Sequence, residues 1–194
     1  FSYDPASIVT QREDLFEAGH YSAFDVLVAL HERGDILLEW EYDERRQTFV
    51  VLSINGLDGW WYDVRLPGAM FERTLLRIDS HPVREGSTIY LYLEDPDFVE
   101  ALAAEERVEI ARREENDGRL IIPEVRVRGP RAEASFHDVL VTAHNARPDV
   151  FRPGVVTLLD VLLSLGEAGG IEELQLAWHA GMDNAQAVEH YWVR

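Results

Sequence analysis

The sequence predicts an α+β fold made of two similar units in tandem, joined by a helix and a β-hairpin. Three observations carry that expectation: a capped amphipathic helix that occurs twice, apolar–polar alternation after each copy, and an Asn-Asp-Gly turn between them. "FEAGHYSAFDVLVALHERGDI" (residues 16–36) aligns with "FRPGVVTLLDVLLSLGEAGGI" (residues 151–171) at a constant offset of 135. The identical pairs are Phe16/Phe151, Gly19/Gly154, Asp25/Asp160, Val26/Val161, Leu27/Leu162, Leu30/Leu165, Glu32/Glu167, Gly34/Gly169 and Ile36/Ile171. Ser22 meets Thr157, and a three-residue insertion then sets Trp40 opposite Trp178. Upstream, "IVT" (8–10) resembles "LVT" (140–142); downstream, "WYDVR" (61–65) resembles "HYWVR" (190–194). Such self-similarity marks one supersecondary unit used twice.

Each element follows from local chemistry. Ser22 and Thr157 are N-caps, and Asp25 and Asp160 three residues on complete capping boxes that satisfy the open N–H groups of a first turn. Phe24, Leu27 and Leu30, or Leu159, Leu162 and Leu165, then fall on one stripe at helical spacing. Gly34 and Gly169 suit the left-handed position that ends such helices. "ILLEWEY" and "LQLAWH" alternate apolar with polar residues, as half-buried strands do, and "QTFVVLSING", "GWWYDVRL" and "STIYLYLED" follow as further strands in the first copy. Between the copies, "DPDFVEALAAEE" with its early Pro96 reads as a short helix, and "RVEIARREENDGRLIIPEVRVRG" as two strands about the Asn-Asp-Gly turn. The expected division is residues 1–95, a connector 96–133, and a second unit 134–194 that stops one strand short of the first.

Composition narrows the function classes. The 194 residues are 46% apolar and 28% charged, with a formal net charge of −18. A surface so acidic repels phosphate backbones, which argues against nucleic acid as a partner. All 18 basic residues are Arg. The absence of Cys removes thiolate nucleophiles, Cys-ligated zinc and iron–sulfur ligation together. No apolar run approaches the roughly 20 residues of a membrane span. The chain opens at Phe1 with no Met, which suits an exported, extracytoplasmic protein whose leader has been removed and equally a chain trimmed at its start.

The residues also resemble a known family. The capped helix at residues 22–30, "FVVLSING" at 49–56, "GWWYDV" at 59–64 and "EGSTIYL" at 85–91 are similar to the β-grasp domain of the DUF4430 family, which is itself similar to the C-terminal domain of the transcobalamin and intrinsic-factor group. The resemblance implies two β-grasp-like units in tandem and a corrinoid-like (cobalamin) ligand. Ferredoxin chemistry on that fold is excluded by the missing Cys ligands, and a sulfur-carrier role by the "YWVR" ending.

Aromatics are the candidate binding residues. Trp60, Trp61 and Tyr62 are consecutive, so neighbours point to opposite faces of a strand and one Trp must face away from whatever the other packs on. Trp178, Tyr191 and Trp192 form the comparable set in the second unit. Core on one face and an interface on the other is the plainer account; a stacking wall for a flat ligand is the sharper one. His179, Met182 and His190 are candidate axial haem ligands, with ordinary structural histidines as the bland alternative. No zinc spacing, calcium loop, nucleophile elbow, P-loop or dinucleotide fingerprint is present, and with 36 carboxylates a close acidic pair carries no information. The expectation is a non-enzymatic binding or assembly module that uses aromatic strand faces and sheet edges to hold a ligand or a protein partner. The alternatives are an accessory subunit of a larger, possibly redox, complex and a haem-binding protein.

Overall fold

A computed structural model describes residues 1–65, 71–72, 77–129, 133–171, 173–180 and 190–193, with the backbone alone at 71–72, 190, 192 and 193. Among these residues the architecture is α+β: three α-helices and five small antiparallel sheets. The chain divides into two compact units, Phe1–Arg107 and Val108–Arg194. No helix among the described residues is long and apolar enough to cross a membrane.

The first unit is organised around helix α1 (Ala23–Glu32), which follows the two-residue strand β1 (Tyr21–Ser22). Its capping box forms: the Ser22 N–H and Oγ–H both donate to Asp25 Oδ2, at 2.6 and 2.7 Å, and the Asp25 N–H returns to Ser22 Oγ at 3.2 Å. Gly34, with φ of +82°, ends the helix, and the Asp35 N–H reaches back to the Leu30 carbonyl at 2.9 Å. That left-handed residue satisfies carbonyls that the helix leaves open.

Six further strands follow in the first unit. Strand β2 (Leu38–Asp43) pairs with β3 (Thr48–Ile54). Strand β4 (Trp60–Arg65) pairs with the short β5 (Phe71–Glu72) and, along its length, with β7 (Thr88–Leu93). The remaining strand, β6 (Pro82–Val83), pairs with β1. Phe24, Leu27 and Leu30 pack with Leu38, Ile54, Tyr62 and Val64 as expected. The burial is wider than one stripe, because Val26 and Val28 are also buried. Residues 1–16 also lie against the helix: Tyr3 and Ile8 pack on the same cluster, Thr10 and Gln11 bond to Asp25, and Arg33 donates to the Ser2 carbonyl.

Helix α2 (Pro96–Glu115) crosses the division between the units in sequence and corrects one expectation. "RVEIARREE" is helix, not strand. Its alternation spans only Val108 to Ile110, whereas Glu, Arg and Ala on either side are strong helix formers. The Asn-Asp-Gly turn therefore ends a helix rather than closing a hairpin. Asp117 and Gly118 are both left-handed, and the Gly118 N–H reaches the Arg113 carbonyl at 2.8 Å.

The second unit holds a hairpin of β8 (Leu120–Arg128) and β9 (Glu133–Val141), helix α3 (Leu158–Glu167), and a pair of strands, β10 (Leu176–His179) and β11 (His190–Val193). Helix α3 repeats the α1 box: the Thr157 N–H and Oγ1–H donate to Asp160 Oδ2 at 2.6 and 2.7 Å, and left-handed Gly169 ends it. Its core is smaller, with Val139, Val141 and Leu165 buried and Val161, Phe136 and Ile171 packed around them.

Two upstream and downstream likenesses lose their positional meaning. Leu140 and Val141 end β9 with Thr142 just beyond it, but residues 8–10 form no strand. Strand β11 pairs directly with β10, the place β3 holds beside β2, whereas its look-alike β4 pairs with β7. Short apolar strings recur because strands share a pattern, and only pairing fixes equivalence.

Candidate functional site

The consecutive aromatics of β4 do part to opposite faces. Tyr62 and Val64 join the core around α1, with Trp60 packed against it. Trp61 points the other way and is nevertheless buried, because Phe98 of α2 meets its ring edge to face at 5.9 Å. The sequence showed that one Trp needed cover; the first half of α2 supplies it. Strands β3 and β4 belong to different sheets, so no ladder closes the space between them. A pocket of about 180 Å³ remains there, lined by Trp60, Trp61, Tyr62, Phe49, Leu91 and Ala103 among others. Trp60 is held in place by its indole N–H, which donates to the Leu57 carbonyl at 2.9 Å.

One charged cluster borders this pocket. Glu106 on α2 is buried and accepts from Arg46 at 2.7 Å and from Arg77 at 3.1 Å. Arg46 is itself part of the lining. A buried carboxylate held by two guanidinium partners fixes α2 against the segments that carry Arg46 and Arg77. No group of metal-ligating side chains occurs among the described residues. What the geometry can do is accept an apolar group against indole and phenol rings.

A second cavity, of about 420 Å³, lies between α1 and β7 beside residues 1–5, lined by Tyr3, Leu27, Leu30, Ser87, Ile89 and Leu91. Tyr3 and Tyr21 meet edge to face at 6.4 Å, and burial pushes the Tyr21 phenol up to about 12. It is the larger space, but Tyr3 is the one aromatic candidate it brings in besides the exposed Phe1. The smaller pocket collects the aromatics and is the candidate site.

In the second unit the aromatic set is open. Trp178 and Tyr191 are cross-strand partners whose rings meet edge to face at 5.0 Å, and both are exposed. The Trp192 side chain lies outside the described residues. His179 is opposite His190 in the ladder, but the His190 side chain and Met182 also lie outside them. The candidate ligand residues are therefore split between a pocket in one unit and an exposed pair in the other.

The structure adds one device that sequence reading missed. The offset of 135 extends upstream to Arg12/Arg147 and Asp14/Asp149, giving R-x-D-x-F ahead of each helix. Arg12 grips Asp14 through Nε and Nη2, both at 2.8 Å; Arg147 grips Asp149 through the same atoms at 2.9 and 2.8 Å. In both copies the Phe N–H closes the turn onto the Arg carbonyl, at 3.0 and 2.9 Å.

A backbone N–H just upstream then bonds the helix aspartate: Gln11 to Asp25 at 2.6 Å, His144 to Asp160 at 2.7 Å. Burial opposes the charge on Asp160, but bonds from Thr157 and His144 outweigh it and hold the carboxyl below the usual range. Asp14, bonded by Arg12, is lowered too. Continuing the alignment past Phe16 would have found these pairs.

The chain matches no protein-family model, no curated protein and no solved structure.

Proposed function

We propose that the protein is a non-catalytic binding module that docks a protein partner, with the pocket between β3 and β4 taking one large apolar side chain of that partner. The carrying observation is the pocket's size combined with its walls. At about 180 Å³ it falls below the ~300 Å³ where sites for drug-sized ligands begin, so the space beside Trp60, Trp61 and Tyr62 is too small for a corrinoid or haem macrocycle. A single aromatic or aliphatic side chain does, and aromatic-walled pockets are where binding energy concentrates in protein interfaces. Two β-grasp-like units in tandem, inferred from resemblance and from the duplicated helix, suit such a module. An extracytoplasmic location, which the lack of any thiol permits, belongs to the same reading.

The small-ligand reading keeps one observation in its favour, the cavity of about 420 Å³ between α1 and β7. Purification of the tagged chain from its native source separates the two. The expected result is a stoichiometric protein partner, no Soret or corrinoid band, and loss of the partner on Ala103→Leu, which fills the pocket from α2. A coloured, partner-free protein, or a partner retained equally by the Ala103→Leu chain, overturns the proposal.

A further inference from the structure

The first unit displays what completes the R-x-D-x-F turn. Beyond its grip on Asp14, Arg12 donates through Nη1 to the Gln47 carbonyl at 3.1 Å and to the carboxylate of Asp79. Asp79 arrives on a 3-10 turn, Ile78–Ser80, and is fully buried. The Thr48 hydroxyl and the Phe49 N–H, the latter at 2.9 Å, also donate to it. The arginine is thus capped by an aspartate from a segment 67 residues away.

The second unit carries the same arginine and the same fork, but among the described residues no second carboxylate meets Arg147. Its guanidinium lies instead over the Trp178 ring, 5.1 Å from the centroid. Trp178 is 45% exposed and Tyr191 36%. The Arg147 side chain is 14% exposed against 6% for Arg12, so in a chain of net charge −18 it is a partly covered guanidinium, paired with Asp149 and backed by an open aromatic pair, where its counterpart is sealed by a second carboxylate. We infer that Arg147, Trp178 and Tyr191 form a docking site for an aspartate-bearing segment of a partner protein. The aspartate takes Arg147 Nη1 as Asp79 takes Arg12, and apolar residues flanking it cover the indole and phenol. Charge-assisted bonds to a guanidinium are the strong ones and fix orientation, while the ring pair supplies contact area. This site lies in the other unit from the β3–β4 pocket and stands or falls separately from it.

The first unit's own segment provides the probe. A fluorescein-labelled peptide of residues 77–87, "RIDSHPVREGS", is titrated with the full chain and followed by anisotropy. Saturable binding is expected, weakened about tenfold or more when the peptide carries Asp79→Asn, since a charged hydrogen bond contributes that much. The Arg147→Gln and Trp178→Leu chains should lose binding to a similar degree, and the Ala103→Leu chain should keep it. Should Arg147→Gln fail to fold, Trp178→Leu alters only an exposed side chain and the peptide variant leaves the protein untouched. Absence of saturable binding, equal binding of the two peptides, or unchanged binding by a folded Arg147→Gln or Trp178→Leu chain overturns the inference.

Discussion

The two R-x-D-x-F turns begin alike and finish differently, and the difference is where the molecule stores its stability. Arg12 is sealed inside the first unit by Asp14, Asp79 and the Gln47 carbonyl. Burial opposes its charge, but the two carboxylates outweigh that and raise its pKa. Arg147 keeps only the local half of the arrangement, with Asp149 and an indole face. The helices differ in the same sense. Every residue of α1 from Ala23 to Val28 is buried, whereas in α3 only Asp160, Ser164 and Leu165 are, and Leu158 is 87% exposed. One copy has become a closed core and the other a surface built on the same frame.

That contrast can be broken most directly at Asp79. Asp79→Ala should destabilise the first unit by about 3–5 kcal/mol, because it leaves a buried guanidinium short of its partner. Arg147→Gln should cost the second unit less, about 1–2 kcal/mol, because Arg147 is largely covered but its partner Asp149 is 53% exposed. Amide hydrogen exchange resolved by unit reads the two separately; equal losses would show that the second arginine is sealed as well.

Next in size come the helix stripes. Phe24 is fully buried and stacks on Phe49 at 4.8 Å, so Phe24→Ala should cost about 3–5 kcal/mol in urea unfolding. Its counterpart Leu159 is half-buried, and Leu159→Ala should cost under about 2 kcal/mol. A larger loss at Leu159 would contradict the smaller core assigned to the second unit.

The capping aspartates should behave alike, since both copies keep them. Asp25→Ala and Asp160→Ala are each expected to cost about 1–2 kcal/mol at neutral pH. For Asp160 the sign with pH is set by its lowered folded pKa. The stabilisation is complete above the unfolded value near ~3.9 and disappears as pH falls through the folded value. Acid titration of the second unit's exchange protection should therefore flatten in Asp160→Asn below about pH 4; an unchanged profile would refute the role. The smallest effect belongs to Trp178→Leu, expected within about 0.5 kcal/mol of the parent because the ring is exposed. A large loss of stability there would mean that Trp178 is core and not a binding surface.

Much of the frame was legible from sequence because it is local. Ser22 with Asp25, Thr157 with Asp160, and the glycines that end both helices act within a single turn, so their spacing is their geometry. The Asn-Asp-Gly turn was read correctly as a turn and wrongly as a hairpin, since a left-handed pair ends a helix as readily as it joins two strands. Trp61 could be predicted to need cover, but not that Phe98 gives it. The Arg12–Asp14 fork sits two residues apart and was within reach of the alignment. Asp79 was not, because nothing near residue 79 announces a partner 67 positions earlier.

The sequence by itself therefore determined the two capped helices and the strands that follow them. These depend on hydrogen bonds and periodicities that close within a few residues. Only the tertiary structure decided which arginine is buried, which tryptophan is covered and which aromatic pair stays open. Those outcomes depend on segments far apart in the chain meeting in space, and a buried charge or ring is defined by what surrounds it.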